Sequence, residues 1–328
     1  MRQFPHPLVL SLLTVAFLHV DAAGFDQGTD LMMRSLKGEF SCNFKATISQ
    51  LDPKSDFYQT IEVLRSRTGK IRHTVLSPDS VKGFCTIDDG DKAYLYDPVR
   101  NILIEQGASD MRPKDLLLRT ELSRQNYDFR TEGQALVAGR TTWCVVASPK
   151  VPLLATRRYY LDAKTAYPLR LETLGRMDTP SVRFDTREIQ FGYPVSNQSF
   201  SPSMFGAVIR VHARPPSATN ASQAKRILGF TPIVPKRIAL GFALQQMQIL
   251  EDPQFHALVL RLTDGLTRAT VYQWKLSSNA SNLNSMERSS GTTLHGIRIL
   301  VLSDALEKVR EKILGSFIGE YSRKSARN

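Results

Sequence analysis

From Glu39 to Pro194 the chain is written as short period-two runs separated by turn-forming residues, and that pattern leaves few folds open. FSCNFKATISQL, FYQTIEVLRSR, GKIRHTVLSP, VKGFCTI, KAYLYDP and NILIEQG alternate apolar and polar side chains, as strands with one buried face do. The breaks between them, DPKSD, SRTGK, SPDS, DDGD and DPVRN, are rich in residues that favour tight turns. Strands joined by so few residues pair antiparallel, because a parallel connection needs a crossover of a dozen or more residues. A helical pattern, MRPKDLLLRTELSRQNYDF, interrupts the meander with Leu116, Leu117 and Leu118 followed by Leu122; strands resume in QALVAGRTTWCVVASPK. Another helix, GTDLMMRSLKG, is expected before the first strand, with Thr29 or Asp30 as its cap and Gly38 as its stop.

Lys and Arg outnumber Asp and Glu by 43 to 31, and RRYYLDAKTAYPLRLETLG sets two arginines against two tyrosines, as a nucleic-acid surface would. Strand geometry rejects that reading. Arg158 and Tyr160 fall on one face, Tyr159 and Leu161 on the other, so the two rings form no common stacking platform. The segment reads as strand, DAKT turn and returning strand, with Arg157 and Arg158 facing water. VRFDTREIQFGYPV supplies a further strand, Phe184, Thr186, Glu188 and Gln190 alternating with Asp185, Arg187, Ile189 and Phe191.

The first residues read as a secretory signal peptide: Arg2, an apolar run from Leu8 to Leu18, then small residues. Val20 and Ala22 place the cut after Ala22, and the run is short of the roughly 20 residues that span a bilayer. The expected location is therefore periplasmic or otherwise extracytoplasmic. The divisions expected are 1–22 signal peptide, 24–205 large domain, 206–223 linker, 224–318 small α+β domain and 319–328 basic tail. Pro, Ser and Asn mark the linker in HARPPSATNASQ. The small domain closes on SDALEKVREKILGSFI, with Ser303 as N-cap and Leu306, Val309, Ile313 and Phe317 on one stripe.

Catalytic and metal motifs are missing from the sequence. The histidines left after export (His73, His212, His256 and His295) have no ligand-spaced neighbours, and His73 reads as a structural residue inside a strand. DDGD, Asp88 to Asp91, reads as a hairpin turn rather than a calcium loop. Cys42, Cys85 and Cys144 form no CxxC; an oxidising compartment permits one disulfide, and Cys42 and Cys144 read as buried strand thiols. No catalytic residue, metal or cofactor is assigned, and a non-enzymatic protein is expected. What remains is an apolar hollow under a curved sheet, with Phe44, Ala46, Ile48, Ile61, Val63, Ile71 and Val75 as the inward-facing ligand-binding candidates, or else simply a filled core.

The succession FKATISQ, TIEVLRSRTGKIRHTVLSP, GDKAYLYDPVRNILIEQ, VAGRTTWCVVASPK, RRYYLDAKTAYPLRLETLG and REIQFGYPV resembles the MucB/RseB regulators of the envelope-stress sigma factor. It also resembles the wider lipoprotein-carrier-like class, from about Glu39 to Phe205. The resemblance implies an α+β protein: an unclosed antiparallel β-barrel with helices in its mouth, followed by a smaller α+β domain. It implies as partners the extracytoplasmic segment of a membrane-bound anti-sigma factor and lipid or lipoprotein acyl chains; nucleic acid is excluded as a partner by the strand geometry and by export. Self-association into a homo-oligomer is compatible with it. The rival reading is a periplasmic lipid or lipoprotein carrier.

Overall fold

The computed structural model describes residues 22–37, 42–52, 57–108, 113–175, 180–202, 206–211, 220–252, 255–276 and 289–325. All but the last residue of the expected signal peptide, and the linker residues 212–219, lie outside these. Helix α1 (Ala22–Lys37) leads into the strands β1 (Phe44–Leu51), β2 (Tyr58–Arg65), β3 (Ile71–Ser77), β4 (Cys85–Asp88), β5 (Lys92–Asp97) and β6 (Ile102–Ala108). Helix α2 (Pro113–Asn126) follows, then β7 (Tyr127–Val137), β8 (Arg140–Pro149), β9 (Thr156–Asp162), β10 (Pro168–Leu174), β11 (Pro180–Phe191) and β12 (Val208–Val211).

Among the described residues these twelve strands make one sheet, in the order β12-β6-β5-β4-β3-β2-β1-β11-β10-β9-β8-β7. Two meanders are thus sewn together where β1 pairs with β11, and β7 and β12 are the sheet's two ends. Every pairing is antiparallel except β12 with β6. A sheet of so many twisted strands curls. Here it forms an unclosed half-barrel, with α1 packed over β7, β8 and β9 and against α2.

The second sheet is built from β13 (Ala243–Asp252), β14 (Phe255–Thr263), β15 (Arg268–Lys275), β16 (Ser289–Leu294) and β17 (Ile297–Leu302), in the order β13-β14-β15-β17-β16. Two helices accompany it, α3 (Ala221–Leu228) before and α4 (Glu307–Ser325) after, the latter covering β16 and β17. The main core crosses from one sheet to the other. Leu31, Met32 and Met33 of α1, with Tyr127 and Phe129 of β7, belong to the same buried cluster as Leu258 and Leu260 of β14 and Val301 of β17.

Several local expectations change. Helix α1 starts at Ala22, so neither Thr29 nor Asp30 caps it. Val208–Val211, inside the stretch read as linker, adds to the large sheet as β12, and α3 begins at Ala221, where the Asn220 side chain accepts the Gln223 amide at 2.9 Å. Helix α4 starts four residues after Ser303, whose hydroxyl instead donates to the Arg268 carbonyl at 2.8 Å. Leu306 consequently stands outside the helix, 64% exposed, while Val309, Ile313 and Phe317 are buried. The helix also runs through most of the expected basic tail, to Ser325. Cys42 precedes β1 and is half-buried, whereas Cys85 and Cys144 are buried in strands; all three are free thiols. The DDGD segment is the β4–β5 turn, its Asp88 and Asp89 carboxylates accepting the amides of Gly90, Asp91 and Lys92.

Candidate functional site

Strand register brings the seven hollow candidates together. Ala46 stands opposite Val63 and Ile48 opposite Ile61, while Ile61 stands opposite Val75. Cross-strand partners share a face, so Phe44, Ala46, Ile48, Ile61, Val63, Ile71 and Val75 form one apolar cluster with Tyr167, Ile189 and Phe191. The Phe44 ring lies 4.4 Å from that of Tyr167 and 5.7 Å from that of Phe191, centroid to centroid.

Above this cluster, under α1, is a cavity of about 310 Å³. Ile48, Val63 and Ile71 line it; the other four candidates pack in the cluster and do not border it. Helix α1 contributes Met32, Ser35 and Leu36, and the strand β1 adds Gln50. Tyr159, Tyr167, Pro168 and Phe184 complete the large-domain apolar wall, and Leu266, in the β14–β15 turn of the second domain, closes it. Among the described residues no cluster of His, Cys, Asp or Glu is placed to hold a metal ion.

Three basic side chains also line the cavity: Arg65 of β2, His73 of β3 and Arg119 of α2. Arg65 and His73 follow from the same alternation as their neighbours, since Val63 and Arg65 are two apart, as are Ile71 and His73. The sequence therefore contains the signal for both, and His73 borders the cavity as well as sitting inside its strand. Arg119 and Leu266 had no local signal, because a helix and a distant turn reach the cavity only through packing. Burial lowers the Arg65 pKa against the raising influence of Tyr167 and Asp88. Burial, and then the neighbouring Arg65 charge, brings His73 down to about 4, so its ring is neutral at pH 7.

Phe184 reaches the cavity through a bulge. Simple alternation places Phe184 and Phe191 on opposite faces of β11. The β1–β11 register shifts between Thr47 and Ile48, however, so Phe44 pairs with Phe191 while Gln50 pairs with Phe184. The extra residue returns Phe184 to the inner face.

The turn bearing Leu266 is held to the large domain by a dense polar joint. Arg157 donates to the Leu266 carbonyl and, at 3.0 Å, to the Thr267 hydroxyl; it does not face water as the sequence suggested. Asn126 donates to the carbonyls of Gly241, at 3.0 Å, and Asp264, at 2.8 Å. The Asp264 carboxylate accepts the amides of Leu266 and Thr267, which fixes the turn itself. Arg158 likewise turns from solvent to the Glu132 and Glu172 carboxylates.

An unclosed antiparallel half-barrel, with helices over an apolar hollow and a smaller α+β domain locked against it, defines an α+β protein built on two sheets. Residues 54–204 match the family model described as the MucB/RseB N-terminal domain. The structure of MucB superposes with a TM-score of 0.63 at 16% identity, covering 89% of this chain and 98% of that one. The MucA/MucB complex of Pseudomonas aeruginosa gives 0.61 at 17% identity, covering 88% and 97%. A further structure, MucB in complex with MucA(peri), gives 0.57 at 15% identity over 88% and 97%. No curated protein matches the chain by sequence. Residues 54–204 thus resemble the MucB/RseB N-terminal domain, and most of the chain shares the fold of MucB.

Proposed function

We propose that this protein is an extracytoplasmic, non-enzymatic regulator that holds the extracytoplasmic segment of a membrane-bound anti-sigma factor and responds to a lipid-like ligand in its hollow. The partner follows from the MucB structures, one with MucA and one with MucA(peri). The observation that supports ligand control is Leu266: a residue of the second domain forms part of the cavity wall, on a turn clamped by Arg157. A ligand that fills the cavity contacts both domains at once. If it favours one setting of that turn over another, it shifts the population able to hold the partner.

The test is binding of the exported protein to an immobilised extracytoplasmic segment of its organism's own anti-sigma factor, with and without added amphiphile. Saturable binding that weakens as the hollow loads is expected. Failure of the segment to bind, with amphiphile still captured, would overturn the regulator and leave a carrier.

A further inference from the structure

Ion pairing differs between the two parts of the chain. Across the large sheet, cations meet carboxylates: Lys45 with Glu62, Arg158 with Glu132 and Glu172, Arg170 with Glu172, and Arg187 with Asp185. From Ile189 to Leu250, by contrast, the sequence holds no Asp or Glu. Lys225, Arg226, Lys236 and Arg237 in this stretch are exposed and make no ion pair among the described residues. We infer that these four side chains form a contact surface for an anionic lipid bilayer, engaged through its headgroups. The hollow takes no part in this contact, which goes beyond the function proposed above.

Residues 221–241 lie across one face of the second sheet. Ala224 of α3 and Ile233 are buried in the same cluster as Leu258, Leu260 and Val301. The Gln273 side chain bonds both the amide and the carbonyl of Ile233, at 2.9 and 2.6 Å, and the Ala239 amide donates to Ser316 of α4 at 2.9 Å. With that side packed down, the four cations are left on the outer side, and Ile227, 38% exposed, stands next to Arg226. Lys225 and Arg226 complement the C-terminal dipole of α3, but Lys236 and Arg237 end no helix, so capping accounts for half of the surface only. On neighbouring α4 the exposed charges cancel, Glu307 and Glu311 against Lys308 and Lys312.

None of the four cations lines the hollow. They stand on an outer helix and the loop after it, which suits a broad field of negative charge; an acidic peptide is gripped in a groove or along a strand edge. Each cation near an anionic bilayer raises affinity by about fivefold. Basic residues beside an exposed apolar one are also the composition of interfacial helices. Such contact concentrates the protein in the plane where a membrane-bound partner emerges.

The experiment is co-sedimentation of the exported protein with vesicles of phosphatidylcholine, alone or mixed with phosphatidylglycerol, at low and high salt. Binding is expected to the mixed vesicles only, weakening as salt screens exposed charge. Lys225→Gln/Arg226→Gln and Lys236→Gln/Arg237→Gln should each lower affinity by about 25-fold, at fivefold per cation. Lys82→Gln/Arg100→Gln removes the same charge from exposed positions of the large domain and should leave binding nearly unchanged. Thermal unfolding verifies that each variant is folded. Equal losses from all three variants would assign binding to overall charge and overturn the surface. So would binding to both vesicle types alike, or to neither. Binding of soluble poly-glutamate through the same four residues, without vesicle binding, would replace the bilayer by an acidic polypeptide. The variants are expected to hold the anti-sigma segment in solution as the native protein does; a selective loss would make the surface part of the partner site instead. Failure of the native protein to hold that segment would bear on the proposed function alone.

Discussion

The Tyr127 hydroxyl donates to the Asp264 carboxylate at 2.9 Å, joining the first residue of β7 to the turn that carries Leu266. Both side chains are buried, at 2% and 0% exposure. Burial, reinforced by the carboxylate beside it, raises the Tyr127 pKa well above that of an exposed phenol. The contact ties the wall of the hollow to the domain that completes it.

Tyr127→Phe removes one donor from a buried carboxylate while keeping the ring that packs on Phe129. The expected cost is about 1–3 kcal/mol, the penalty for leaving a buried polar group short of a partner. Chemical denaturation of the two proteins measures it. Equal stability would mean that Asp264 finds a replacement donor.

Gly265, next to Asp264, has φ +107°, and a Cβ there would run into the backbone of Ser123 on α2. Gly265→Ala is therefore expected to lose more than about 2 kcal/mol, from left-handed strain together with a backbone clash, and to expose the domain joint to proteolysis. Gly139→Ala is the comparison: its φ is +71° but nothing lies within 4 Å of the added methyl. That variant is expected to show only the conformational cost, about 1 kcal/mol. If the two substitutions cost the same, α2 gives way and the joint is softer than its geometry implies.

His73 makes stability pH-dependent. Its pKa is 6.5 when unperturbed and about 4 in the fold. Between those values the unfolded chain binds more protons than the folded one, so stability falls as pH drops from 6.5 toward 4. The ceiling is about 3 kcal/mol, reduced by the ring's partial exposure to solvent. His73→Gln should flatten that part of the stability–pH curve, read by denaturation at closely spaced pH values. Parallel curves for the two proteins would remove His73 as the cause.

Val63 is 2% exposed and borders the cavity. Val63→Glu places a carboxylate on the apolar wall of the cavity, where an acyl chain would lie. Displacement of a fluorescent fatty acid should be lost in this variant. Retained capture by a folded Val63→Glu protein would show that ligand binds elsewhere.

Much of this was written locally. Period-two runs with short turns required antiparallel strands, and Asp-rich and Gly-containing breaks specified hairpins such as Asp88–Asp91. The alternation through Phe44, Ala46 and Ile48, and through Ile61 and Val63, determined a common apolar face, because side chains on a strand repeat every two residues. Applied without exception, the same alternation also turns Arg65 and His73 inward.

Tertiary structure decided the rest, for reasons local pattern does not encode. The bulge opposite Thr47 and Ile48 returns Phe184 to the inner face, and a register shift depends on both paired strands. Val208–Val211 becomes a strand because β6 offers it an edge. Arg157 has the sequence context of a solvent-facing strand residue, yet the second domain brings the Leu266 carbonyl to its guanidinium. The sequence by itself determined an apolar sheet face; whether that face enclosed a cavity, and that two arginines and a leucine from the other domain would line it, depended on how distant elements packed together.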